Sequence, residues 1–191
     1  MDRQAILDAL KGGDRRSIGR ANQVVASVRR EPSLFPALMN VLRHADEGVR
    51  MRAAVAAEKL MATNPHWLLQ PFKCRLMSLA ARVEQQELRW HLARMLPLLE
   101  LSRKDRTMAV AILRRYLGDR RRIVMTFAMQ GLFDLAIQDV RLLAPVRRMI
   151  FSLTRTGSPA MKSRGRRLLR QIDSPSLPRY APDSQRRRLR N

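Results

Sequence analysis

A small residue returns along this chain at intervals long enough for one pair of helices. Ala21, Ala54, Ala93, Ala128 and Gly165 lie 33, 39, 35 and 37 residues apart. Three of them share a setting. Val49, Leu88 and Ile123 each precede the alanine by five positions, and Ala57, Leu96 and Gly131 follow it by three. A small side chain lets two crossing backbones approach closely, so the repeat predicts helices stacked at regular intervals. Self-similarity at such a period is the signature of repeat architectures, in which no unit buries its apolar face alone.

Between the small residues run helices with a bulky stripe. Leu34, Leu38 and Leu42 lie at i, i+4 and i+8, as do Leu68, Phe72 and Leu76, then Ala109, Leu113 and Leu117, then Leu142, Val146 and Ile150. Each set is one face of a helix. No segment alternates polar and apolar residues with β-branched enrichment, so no sheet is expected. Start and stop signals place helices at about 15–30, 32–44, 47–63, 65–82, 84–99, 103–117, 120–138, 140–154 and 159–172. Asp46 caps one and Ser158-Pro159 opens the last. Pro97 should kink the apolar helix that holds it. Residues 173–191, with Pro175, Pro178, Pro182 and Arg186-Arg187-Arg188, read as an irregular basic tail after one domain spanning 1–172.

The run Asp46-Glu47-Gly48-Val49-Arg50-Met51-Arg52-Ala53-Ala54 resembles HEAT and HEAT-like repeats in its loop Asp, Val-Arg and Ala-Ala pattern. Leu88-Arg89 with Ala93 lacks the preceding Asp, and Ile123-Val124 with Ala128 lacks the Arg. The resemblance covers about residues 15–172. It implies an all-α, right-handed α-solenoid of about five helical hairpins, with the motif helices lining its concave face and Arg50 or Arg89 linking successive repeats. It says nearly nothing of function, because the architecture hosts many roles.

Charge bounds the partner. Lys plus Arg number 38 against 16 Asp plus Glu, a net +22, and 33 of the 38 are Arg. Such a balance excludes an acidic binding surface and makes polyanions the default partner, while Arg suits bidentate phosphate contact. Residues 101–191 hold 22 basic and six acidic groups. Arg120-Arg121-Arg122 opens a helix, where cations oppose the helix dipole and a bound polyanion would offset them. Cys74, the one cysteine, excludes an internal disulfide framework. No stretch has the roughly 18 apolar residues of a membrane span, and the N-terminus lacks a signal-peptide core, so no membrane insertion and a cytoplasmic location are expected.

The motif helices supply the candidate binding residues Arg20, Arg52, Trp90, His91, Arg94, Arg164 and Arg167, joined by Arg121 and Arg148 from the basic runs. Trp90 stacks on a base or partner, or fills the gap between repeats. Glu58, amid apolar neighbours, needs a partner, for which Arg94 is in place. No metal-ligand spacing, Gly-rich phosphate loop or nucleophilic triad occurs, so neither a cofactor nor a catalytic residue is expected. The leading expectation is a non-catalytic scaffold for the nucleic-acid backbone. The alternatives are an adaptor for an acidic protein and, by architectural resemblance only, a HEAT-like glycosylase for alkylated bases using Trp90 with Glu87 or Glu58.

Overall fold

The computed structural model describes residues 3–12, 17–63 and 70–174. Among them the chain forms ten α-helices and no strand: α1 (Arg3–Leu10), α2 (Ala21–Arg30), α3 (Phe35–Val41), α4 (Glu47–Met61), α5 (Lys73–Arg82), α6 (Gln86–Met95), α7 (Arg103–Tyr116), α8 (Arg122–Gln138), α9 (Leu143–Thr156) and α10 (Pro159–Ile172). The all-helical reading therefore holds. No helix among the described residues is long and apolar enough to cross a membrane. The chain divides into two compact units, Met1–Asp105 and Arg106–Asn191. The basic tail expected at 173–191 lies, from residue 175 on, outside the described residues.

The five small residues fall in α2, α4, α6, α8 and α10, and all are buried. In the first unit α4 packs against both α2 and α6, α1 packs against α2, α3 and α4, and α5 packs against α6. Ten of the fifteen residues of α4 are buried. That enclosure explains its run of Ala53, Ala54, Ala56 and Ala57, each fully buried: larger side chains would hold the neighbouring helices apart. Asp46 caps α4 as expected, its carboxylate accepting from the Val49 amide at 2.8 Å. That bond is the main cause holding the Asp46 carboxyl below its ordinary pKa.

Three boundaries differ from expectation for physical reasons. Helix α1 precedes the first helix expected from the sequence, and Ile6, Ala9 and Leu10 bury its inner face. Helix α2 starts at Ala21 rather than near 15; residues 17–20 are non-helical, and 13–16 lie outside the described set. Pro97 does not kink a continuous helix. Proline has no amide hydrogen to bond back along the helix, so α6 ends at Met95 and Leu96–Leu98 form a 3-10 turn. The stripe Leu68, Phe72 and Leu76 begins outside the described residues, while Phe72 and Leu76 are buried as expected.

In the second unit α10 packs against α8 and α9, and α8 packs against α9. Ala109 and Leu113 are fully buried, but Leu117 is only half-buried, with Tyr116 filling the core beside it. Gly165 sits where α10 meets its neighbours: a Cβ there would lie 1.9 Å from Thr154 Oγ1 and 3.2 Å from Met129 Cε. Asp139 organises the turn before α9. It accepts from Arg141 Nε at 2.8 Å and Nη2 at 2.7 Å, with Arg106 beside it at 3.4 Å.

Arg141 first, and Arg106 less, lower the Asp139 pKa to about 2 against the burial that raises it. A depressed folded-state pKa gives stability that is complete above the unfolded value and is lost as pH falls through the folded one. The second unit should therefore lose about 1–2 kcal/mol between about pH 4 and pH 2, the lower end of that range because the half-exposed Arg141 is screened. Asp139→Asn should flatten that part of a stability-versus-pH curve. An unchanged curve would mean the pair adds nothing.

Candidate functional site

The nine candidate binding residues divide between the two units. Arg20, Arg52, Trp90, His91 and Arg94 lie in the first; Arg121, Arg148, Arg164 and Arg167 lie in the second.

In the first unit the candidates mostly hold the fold together. Arg52, expected on an open face, is 2% exposed. Its Nη1 donates to the Leu10 carbonyl at 3.1 Å and its Nε to the Ser17 carbonyl at 3.0 Å. The Leu10 carbonyl is one of the orphan acceptors at the end of α1, and a cation suits that end of a helix. Gly19, at φ +51°, lies against this guanidinium stem; a Cβ there would be 3.2 Å from Arg52 Cδ. Arg20 acts nearby, donating to the Asp8 carbonyl at 2.8 Å. Both side chains thus fasten α1, Arg52 from within the fold and Arg20 from an exposed position.

His91 and Arg94 are brought together by Glu58, as the expected Glu58–Arg94 pairing required. Glu58 in α4 is buried, and its carboxylate meets His91 Nδ1 at 2.5 Å and Arg94 Nη1. The other ring nitrogen of His91, Nε2, is buried without a hydrogen-bond partner among the described residues. Trp90 is half-buried and stands edge-on to His91, with ring centroids 5.4 Å apart. The carboxylate joins α4 to α6. The link expected through Arg50 is also present, with a different partner: Arg50 Nε donates to Gln85 Oε1 at 2.8 Å, and Gln85 Nε2 returns to the Glu47 carbonyl at 2.9 Å. A neutral amide, not an acid, forms that rung. Arg89 donates to the Val83 carbonyl beside its own helix.

The second unit is different. Residues 106–174 carry 15 basic and four acidic side chains. All four acids are engaged. Asp119 accepts from the Arg121 amide, Asp134 from Gln130, Asp139 from Arg106 and Arg141, and Asp173 from Arg147 through two bonds. The Arg147–Asp173 pair lowers the pKa of the carboxyl and raises that of the guanidinium. On α9 and α10 this leaves Arg148, Arg155, Lys162, Arg166, Arg167 and Arg170 without a carboxylate partner among the described residues. All except the half-buried Lys162 are exposed.

Two of the candidates converge here. Arg164 Nη1 and Arg167 Nη2 donate to the same oxygen, Gln130 Oε1, at 2.8 and 2.7 Å. Arg164 also lies over the Phe127 ring, 5.7 Å from its centroid. Arg148 is exposed on α9 near Phe151, which is 48% exposed with Arg155 over its ring. Phe151 is not among the residues expected at a site, and Gln130 is marked in the sequence only as a polar residue of a motif helix, with Asp134. The signal for Gln130 was an amide at helical spacing from Phe127 and Asp134 on α8; for Phe151 it was an aromatic three and four residues from Arg148 and Arg155.

No protein-family model matches the chain, and no curated protein sequence matches it. Its fold is similar to the crystal structure of an engineered protein, a Northeast Structural Genomics Consortium target. The likeness has a TM-score of 0.58 at 14% sequence identity and covers 89% of this chain and 78% of that one. At that identity it speaks of fold alone.

Proposed function

We propose that this chain is a non-catalytic, cytoplasmic HEAT-like scaffold, its helical hairpins stacked as a right-handed α-solenoid, whose C-terminal unit grips the phosphate backbone of nucleic acid. The observation that carries this reading is the charge balance of α9 and α10: six cations there have no carboxylate partner among the described residues, because the acids of residues 106–174 are already engaged. A row of like charges repels itself, and a polyanion offsets that repulsion. Phosphates presented along a path need several cations in succession rather than one pocket. The burial of all five small repeat residues supports the stacked-hairpin reading. Exposed aromatics are few, which favours contacts to the backbone over reading of bases, and hence weak sequence preference.

The test is binding of the full chain to DNA and RNA duplexes of unrelated sequence at about 50 mM salt, with Arg148, Arg166 and Arg170 reversed to Glu. The triple variant should lose about 30- to 100-fold in affinity, by a similar factor for each sequence, with its melting temperature unchanged. Failure of the wild-type chain to bind either duplex would overturn the reading and favour an acidic protein as partner.

A further inference from the structure

The cations of the second unit are not equivalent, and the difference lies at Gln130. Arg148, Arg166 and Arg170 are exposed single side chains on α9 and α10. Arg164 and Arg167, one helical turn apart on α10, instead reach across to α8 and share one acceptor, Gln130 Oε1, at 2.8 and 2.7 Å. The orientation of that amide is fixed chemically. Its nitrogen donates to Asp134 Oδ1 at 2.7 Å, and a carboxylate only accepts, so the NH2 end must face Asp134 and the oxygen must face the two guanidiniums. The Arg164 guanidinium also lies over the Phe127 ring, 5.7 Å from its centroid, a second contact that holds its side chain in place. Two positive groups are thereby held side by side by a neutral oxygen.

We infer that Arg164 and Arg167 form a preorganised site for one phosphodiester group, with Gln130 as its positioning residue; this rests on the nucleic-acid reading above. Three features match that ligand. A diester carries a single negative charge, equal to the excess of two guanidiniums over the carboxylate of Asp134. Guanidinium forks match pairs of phosphate oxygens. The exposed Arg167 spends one donor on Gln130, and its other donors have no protein acceptor among the described residues. Ordering a long arginine normally opposes binding; here the amide and the ring have already done it.

The experiment compares variants of the full chain on one fluorescein-labelled 20-base-pair DNA duplex at about 50 mM salt. The double variant R164Q/R167Q and the control R166Q/R170Q remove the same charge from the same helix. The first should weaken binding about 30-fold and the control about fivefold. Q130M leaves the charge untouched and should still weaken binding about fivefold. In the R164Q/R167Q background Q130M should cost no further affinity, a coupling that a purely structural role for Gln130 would not produce. Equal losses for the two double variants, or wild-type affinity in Q130M, would overturn the inference while leaving the nucleic-acid reading intact. No duplex binding by the wild-type chain would instead overturn the reading on which it rests.

Discussion

Arg52→Ala should destabilise the first unit by about 3 kcal/mol and leave nucleic-acid affinity within about twofold. The guanidinium is 2% exposed and donates to the carbonyls of Leu10 and Ser17. Truncation would strip both of this donor, leaving the buried Leu10 carbonyl without it, and would remove a cation from the end of α1. Lysine, with one ammonium in place of a fork, could not reproduce both bonds, so Arg52→Lys should lose an intermediate amount. Trp90 lies on α6 in the first unit, and residues 106–191 contain no tryptophan, so urea denaturation followed by tryptophan fluorescence reports this unit. A loss below about 1 kcal/mol, the value for an exposed charge, would show that Arg52 does not fasten α1.

Gly165→Ala should destabilise the second unit by about 2 kcal/mol. In an open helix the same change stabilises by roughly 1 kcal/mol, because glycine is the poorer helix former. Here the new Cβ would lie 1.9 Å from Thr154 Oγ1 and 3.0 Å from Thr154 Cβ. The threonine cannot simply turn away, since its hydroxyl donates to the Ile150 carbonyl at 2.7 Å and its branched side chain is stiff within α9. Overpacking of this kind costs about 1–3 kcal/mol and outweighs the propensity gain. Thr154→Ala should recover at least about 1 kcal/mol of the loss, a coupling that a double-mutant cycle measures by circular dichroism. Stabilisation by Gly165→Ala alone would mean that α9 and α10 do not cross at this point.

The same small residues show why the fold was legible. Ala21, Ala54, Ala93, Ala128 and Gly165 can be found by spacing because close approach of helices leaves a mark at similar intervals, and each of them is buried. Helix α1 left a weaker mark: eight residues give barely two turns of periodicity, and much of its anchoring comes from Arg52 and Arg20, far along the chain. The site was legible only in its charge. Composition gave the cations of α9 and α10. It could not tell an arginine whose neighbours supply backbone carbonyls, such as Arg52, from one whose neighbours supply only solvent, such as Arg148. That distinction depends on what folds back against the side chain. Glu58 was the exception, since a carboxylate between Ala57 and Leu60 on an apolar helix face requires a partner, and Arg94 lay within reach.

A salt titration of duplex binding by the intact chain bears most directly on the central claim that unpaired cations of the second unit grip a phosphate backbone. With about five phosphates neutralised, log K should fall against log salt with a slope near −4.5, alike for unrelated sequences. A slope near zero, or no binding at low salt, would contradict it.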